Sequence, residues 1–556
     1  MKFLLVKRAF LAFGIAASLF FALGAQAANV GDAVDFNVDK DFDVLGRIRA
    51  QATLIKITDK LYFYVERDWW AMQPVTKQAQ ILENLDSLSN EFSSSIYPKI
   101  TSIFGSEQSP GIDKDARITV LFEQMNSAEG GYFREADGYE KLQVPTSNER
   151  EMVYLSLAYI DNPGVKTLLA HEFTHLVTFN QKNKIFNVEE DTWLNEARAD
   201  YTSTLLGYDN KYEDSNLQKR VRDFVENPSD PLTEWQGSKY DYASVNLFTQ
   251  YLADHYGINT LADSLKSQYT GIESVNYALQ KNGFKESFSD IFTNWTIALS
   301  VNNCAMGKNY CYSNENLKKI KVLPSINFLP LTGNVSLSVT NTTKNWTGNW
   351  LKFIGGNGDL KLKFSGLKGL NFKIPYIIED SAGTVAVKFL ALDESGKGEI
   401  SAESFGSDYK SLIIIPSVQI NSNGVDGAEF PFNYAIEIKG TEQVSNEDLI
   451  NQLLQKIAEL KQQIAALQFQ QGTGSLSCNE LTVNLYYGMS YSNDVMCLQQ
   501  FLKNQGSDIY PEGYITGTFA SMTEAAVKRF QEKYGIANMG FVGPLTRAKI
   551  NQLAGL

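Results

Sequence analysis

Histidine is nearly absent from this chain, with three in 556 residues, at positions 171, 175 and 255. Cysteine is almost as scarce. The four cysteines, Cys304, Cys311, Cys478 and Cys497, include no Cys-x-x-Cys spacing and so give no support to a cysteine-ligated zinc site. They fall into two local pairs, and an even count in an exported chain reads as two disulfides. Basic residues are in deficit, 50 Lys and Arg against 63 Asp and Glu, for a net charge of −13. A nucleic-acid surface needs a basic patch or stripe, so that class of partner is not expected. Beyond the first residues there is no apolar run long enough to span a bilayer, and no transmembrane segment is expected once those residues are removed. Apolar residues are not lacking: 44% hydrophobic content with 12% aromatic is enough for several cores and excludes global disorder.

The beginning of the chain has the layout of a secretory signal. Lys2, Lys7 and Arg8 precede an uncharged apolar stretch from Ala9 to Gly24, and Ala25-Gln26-Ala27 is a small-x-small cleavage triplet. Residues 1–27 are therefore expected to be removed, leaving a secreted, extracytoplasmic protein associated with the cell wall or envelope.

The remainder divides by pattern. Residues 28 to about 163 mix strand candidates at 60–65, 117–122 and 151–155 with a helical pattern from Ala79 to Ile103. Residues 164 to about 318 are mostly helical. From 319 to 443, short β-branched and apolar runs (335–340, 360–364, 384–392, 412–415 and 434–439) alternate with Gly, Asn, Asp and Ser, which suggests an all-β sandwich. Within 444–475, Ile450, Leu453, Ile457, Leu460, Ile464 and Leu467 repeat at alternating spacings of three and four. That is a coiled-coil or stalk seam, which makes residues 446–468 a possible homodimer contact, and a Gly/Gln/Ser linker follows it. A small helical unit, 476–556, ends the chain. The expected architecture is thus multidomain, with α+β, sandwich, stalk and small helical parts.

Chemistry concentrates at His171-Glu172-Phe173-Thr174-His175. On a helix, residues i and i+4 lie one turn apart on one face, so both imidazoles can reach one metal ion. Glu172 lies beside them as a candidate general base. A catalytic zinc site needs a third protein ligand. Downstream, Trp193-Leu194-Asn195-Glu196-Ala197-Arg198-Ala199-Asp200 reads as a helix ending near Gly207, with Glu196 as that ligand and Asp200, one turn on, as acceptor for the second N–H of His171. An oxyanion donor is expected from the helix that opens at Tyr240-Asp241-Tyr242, with Tyr242 preferred and Tyr240 second. His255, near the end of that helix, is expected to cap it or face solvent. Asp113 and Asp115 are a weaker candidate pair for Ca²⁺.

The His-Glu-Phe-Thr-His window followed by Trp-Leu-Asn-Glu-Ala resembles the gluzincin clan of zinc peptidases, which includes thermolysin, and more closely the hyicolysin-type secreted bacterial metalloendopeptidases. The resemblance spans about residues 40 to 300 and includes Phe104-Gly105, the 113–118 segment, Gly131-Tyr132-Phe133 and 151–154. It implies one Zn²⁺ held by His171, His175 and Glu196, with Glu172 as the base. The Gly-x-Met-x-Asn strand with which aminopeptidases of the clan hold a free amine is missing, which favours an endopeptidase acting on proteins or peptides. The C-terminal order Leu498-Gln499, Thr516-Gly517, Phe530-Gln531 and Gly540 to Pro544 resembles the three-helix peptidoglycan-binding domain, with Gly488-Met489-Ser490-Tyr491 in place of that family's Gly-Ser-x-Gly turn. Peptidoglycan is then an expected partner. Other readings are an endopeptidase that cuts peptidoglycan cross-bridges, and a non-catalytic adhesin with a structural zinc.

Overall fold

Alternation of apolar residues builds the first sheet from strands whose two faces serve two cores. In Leu61–Glu66, the side chains of Leu61, Phe63 and Val65 face one way and Tyr62 and Tyr64 the other; both sets are buried. The computed structural model describes residues 28–126, 130–331, 334–421, 426–440, 454, 478, 480–487, 489, 493–511 and 513–554. The signal sequence and all six heptad-seam positions lie outside the described residues.

The sheet has six strands in the spatial order Ala33–Asn37, Arg49–Ile57, Leu61–Glu66, Ile118–Glu123, Met152–Ser156 and Gly131–Tyr132. The three central strands run parallel, and Gly131–Tyr132 lies antiparallel at the edge. One face packs on the helices, among them Val75–Glu91 and Val165–Phe179, through Ile81, Leu85, Leu169 and Phe173. The helical pattern from Ala79 to Ile103 falls within one continuous run of helical backbone. Within it, a wide π turn at Phe92–Ile96, next to Pro98, lies between Val75–Glu91 and Tyr97–Phe104.

At the end of one central strand, Glu123 is fully buried and accepts a 2.6 Å hydrogen bond from the Tyr132 hydroxyl. Burial pushes its carboxyl from 4.5 up to about 8. Between those two values the folded chain keeps a proton that the unfolded chain has released, so stability falls as pH rises through that window. Glu123→Gln should flatten this part of the pH dependence of the melting temperature, and thermal melts from about pH 5 to about pH 8 would read it.

Beyond residue 320, a nine-stranded sheet arrangement forms two leaves joined by one strand pair, Phe405 with Tyr409. One leaf contains Lys397–Phe405, Gly358–Gly366, Phe430–Gly440 and Val335–Thr343; the other contains Val385–Phe389, Pro375–Asp380, Tyr409–Ile414, Leu351–Gly355 and Ser325–Leu329. Phe353, Ile378 and Leu412 of one leaf share a core with Leu362, Ile400 and Ile436 of the other. This sheet-rich region is continuous with the helices. Trp346, Trp350 and Ile415 belong to the core of the helical lobe, and the Trp350 indole donates to the Thr296 carbonyl at 3.1 Å.

Residues 1–445 form one compact unit and 446–556 a second. In the second, helices Asn493–Asn504, Ser521–Lys533 and Pro544–Ala554 enclose Leu498, Phe519, Val527, Phe530 and Val542. Two buried glutamines explain the spacing of its motifs. Gln499 accepts from the Thr516 and Gly517 N–H groups and donates to the Thr518 carbonyl. Gln531 accepts from the Gly540 N–H and donates to the Phe541 carbonyl. Each amide closes the loop that follows its own helix, so losing one would leave buried backbone groups unpaired. Both expected disulfides are formed, Cys304–Cys311 and Cys478–Cys497.

Candidate metal centre

The helix Val165–Phe179 is pinned by its apolar side. Phe173 packs edge-on against Phe92 and stacks on Tyr97, and Leu169, Ala170 and Val177 are fully buried. This fixes the rotation of the helix and sends His171 and His175 out together. A second helix, Thr192–Leu205, buries Trp193, Leu194 and Ala197 and turns Asn195 and Glu196 toward the first.

Three ligand atoms converge. His171 Nε2 lies 3.1 Å from His175 Nε2 and 3.2 Å from Glu196 Oε2, and the latter two are 3.6 Å apart. Among the described residues this is the one group of three or more His, Cys, Asp or Glu side chains close enough to share an ion. Glu196 Oε2 is buried and makes no hydrogen bond. A buried carboxylate without a donor carries a large desolvation cost unless a cation faces it. Without an ion, His175 itself takes part of that role. Burial works against a charged His175, yet the Glu196 carboxylate overcomes it and pushes the ring up to about 9. Burial alone would raise the Glu196 carboxyl, and His175 and His171 instead hold it well below the usual range.

The tautomer of His175 is set by a residue that the sequence reading passed over. Its Nδ1 lies 3.0 Å from Asn195 Oδ1, and an Nδ1–H donated to that oxygen would leave Nε2 as the nitrogen that meets an ion at the convergence point. If these three atoms hold zinc, Asn195→Ala should weaken its binding by about 10–100-fold while the fold persists, as read by titration against a chromophoric chelator.

Asp200 differs from its expected role. It is buried near His171, but its hydrogen bonds go elsewhere: the Nη2 and Nε groups of Arg220 at 2.7 and 3.0 Å, Asn216 at 3.1 Å and Asn246 at 2.7 Å. Burial would raise its carboxyl, and the Arg220 charge holds it low. Asp200 therefore reaches His171 through its charge, and its contacts fix Arg220. That guanidinium in turn lies 4.7 Å from the Tyr242 ring centre.

The two tyrosines are clearly separated. The Tyr240 hydroxyl is committed to Glu226 at 2.6 Å. The Tyr242 ring stands 6.4 Å from that of His171. Burial, together with the nearby Glu196 and Glu172 charges, pushes the Tyr242 hydroxyl well up, so it remains a proton donor through the neutral range.

Glu172 is 4% exposed and close enough to both His175 and Tyr242 for its charge to act on each. The edge strand Gly131–Tyr132 passes over it. A Cβ on Gly131 would come 3.1 Å from Glu172 Cγ and 2.7 Å from the Tyr154 carbonyl, and one on Gly130 would come 2.6 Å from Leu168 Cδ2. Glycine is what permits this approach, and the Gly130-Gly131 pair was the signal for it.

The remaining candidates lie apart from the three ligands. His255 bonds the Cys311 carbonyl at 2.8 Å and supports the disulfide loop. Asp115 accepts from the Tyr62 hydroxyl and the Arg117 N–H, and Asp113 accepts from the Asp115 N–H, so these carboxylates stitch their own turn.

Residues 491–550 match the family described as "Putative peptidoglycan binding domain", which supports peptidoglycan binding and cell-wall association. No curated protein matches the chain. Solved structures similar to part of it include the Yersinia pseudotuberculosis-derived mitogen, at 11% identity over 20% of this chain and 92% of that one, with a TM-score of 0.14. CorA, a surface-associated copper-binding protein of Methylomicrobium album BG8, is 11% identical over 21% and 98%, at 0.15. PliG, a periplasmic inhibitor of g-type lysozyme from Aeromonas hydrophila, is 14% identical over 21% and 100%, also at 0.15. At these scores the likenesses assign no fold. No helix among the described residues is long and apolar enough to cross a membrane.

Proposed function

We propose that this chain is an exported zinc metalloendopeptidase held at the cell wall by its C-terminal unit. The observation that carries the reading is Glu196 Oε2, brought from a second helix to within 3.2 and 3.6 Å of the two imidazole Nε2 atoms and left there without a hydrogen bond. Zinc with bonds of about 2.0–2.1 Å in tetrahedral geometry sets its ligand atoms roughly 3.3–3.4 Å apart, which is the scale of this triangle. Two neutral imidazoles and one carboxylate are also the donor chemistry that a catalytic zinc takes. When bound, the ion would acidify a water and polarise a carbonyl.

The chain's own residues supply the rest. Gly131–Tyr132, the edge strand of the sheet among the described residues, could offer main-chain hydrogen bonds to an extended peptide laid alongside it. This would place a scissile bond above Glu172. Glu172 takes the proton of the attacking water and passes it to the leaving amine. The Tyr242 hydroxyl, still protonated, donates to the developing oxyanion. An intact Glu172 in this position counts against a purely structural zinc.

The match at residues 491–550 leaves open two substrates at the wall, proteins or peptidoglycan cross-bridges. Casein and purified sacculi, each incubated with and without chelator, separate them. Chelator-sensitive casein cleavage supports the proposal, cleavage of sacculi alone supports the cross-bridge reading, and cleavage of neither favours the adhesin.

A further inference from the structure

The segment Asn227–Ser238 links two helices and carries Trp235, whose ring meets Tyr242 edge-on with centres 4.8 Å apart. Tyr242 is thus held between Trp235 and the Arg220 guanidinium. Arg220 is fixed within the helical lobe by Asp200, whereas the Trp235 segment is held from two sides: the Gln236 and Ser238 N–H groups donate to Asp241 at 3.0 and 2.7 Å, and the sheet-rich region holds the rest. Ser229 Oγ donates to the Gly348 carbonyl at 2.9 Å, and the Leu232 N–H donates to the Trp346 carbonyl at 3.0 Å. Next to Trp235, Glu234 is clamped by Lys344 Nζ at 2.8 Å and by the Gly427 N–H at 3.1 Å. Burial would raise the Glu234 carboxyl, and these bonds hold it low, so the clamp is ionic through the neutral range.

Trp346 is itself unusual. It sits at φ 51°, a left-handed conformation that a bulky side chain adopts only when its surroundings enforce it. Its N–H bonds the Val418 carbonyl at 2.9 Å, its indole bonds the Ile420 carbonyl at 3.0 Å, and its ring packs on Phe288 and Phe292. Backbone strain is thus maintained at the point where the sheet-rich region meets the segment behind the candidate donor.

We propose that the sheet-rich region is a positioning element for the active site, with Lys344 and Glu234 as positioning residues that hold Trp235 against Tyr242. This rests on the peptidase reading. A spacer would need only apolar contact with the helical lobe. Bonds such as Trp350 to Thr296 and Gln419 to Thr293 tie the two regions elsewhere, but four more reach one twelve-residue segment next to Tyr242. Donor placement matters because an oxyanion contact acts at the transition state, so misplacement lowers kcat with little change in KM.

The test uses the full mature chain with casein and the variants Lys344→Ala, Lys344→Arg, Tyr242→Phe and the Lys344→Ala/Tyr242→Phe double. Lys344→Ala should lower kcat by about tenfold with KM nearly unchanged, and Lys344→Arg should restore most of it. The double variant should be no slower than Tyr242→Phe alone, because the lysine acts through the tyrosine. Thermal melts identify any variant that fails to fold; Glu234→Gln, which keeps volume and removes the ion pair, then takes the place of Lys344→Ala. Full kcat in Lys344→Ala, or a loss that adds in full to that of Tyr242→Phe, overturns the positioning role alone. A folded wild-type chain that cleaves nothing overturns the peptidase reading and this inference with it.

Discussion

Glu172→Gln should retain zinc and lose peptide hydrolysis by about 10²–10⁴-fold, the usual contribution of a positioned general base. The substitution is nearly isosteric, so the 4%-exposed pocket beneath Gly131 should accept it without repacking. It removes the proton acceptor while leaving His171, His175 and Glu196 untouched. Metal content and melting temperature should therefore match wild type while kcat collapses. A variant that lost metal and activity together would instead mark Glu172 as part of the binding shell. Retained proteolysis would remove it from the chemistry.

Glu196→Ala should abolish metal binding and activity together. Its Oε2 is buried and makes no hydrogen bond, so its negative charge is answered only by the imidazoles or by an ion. With it gone, two imidazoles on one helix remain, too few for a closed or catalytic zinc site. Zinc content should fall from about one per chain to near zero. Added zinc should raise the melting temperature of wild type, because a ligand that binds only the folded state stabilises it, and should leave the variant's unchanged. The result that would contradict the ligand role is a Glu196→Ala chain that still binds zinc stoichiometrically.

Local periodicity carried what could be read from sequence. The spacing of His171 and His175 is a property of one helix, and so is the place of Tyr242 in the first turn of the helix Lys239–Tyr256. Strands such as Ile118–Glu123 were visible because they are apolar on both faces. Lys397–Phe405 was not, because its exposed Lys397, Glu399, Ser401 and Glu403 hide a short buried stripe of Ile400 and Ala402. Partnerships between helices were the hardest to read. Asp200 reads as a partner of His171 because it lies one turn after Glu196 on the same helix face, yet a helix twenty residues on delivers Arg220 to it. Asn195 stood beside Glu196 in the motif, but its bond to His175 depends on the angle at which two helices meet, which no single-helix pattern encodes. The Glu234–Lys344 clamp spans 110 positions and two regions of different composition, so neither partner drew notice.

The most direct measurement is metal analysis of the purified mature chain, paired with casein cleavage before chelation, after it, and after zinc is restored. The expected result is about one zinc per chain and cleavage that disappears with the metal and returns with it. Cleavage that persists in the metal-free protein, or a folded chain that binds no zinc at His171, His175 and Glu196, would contradict it.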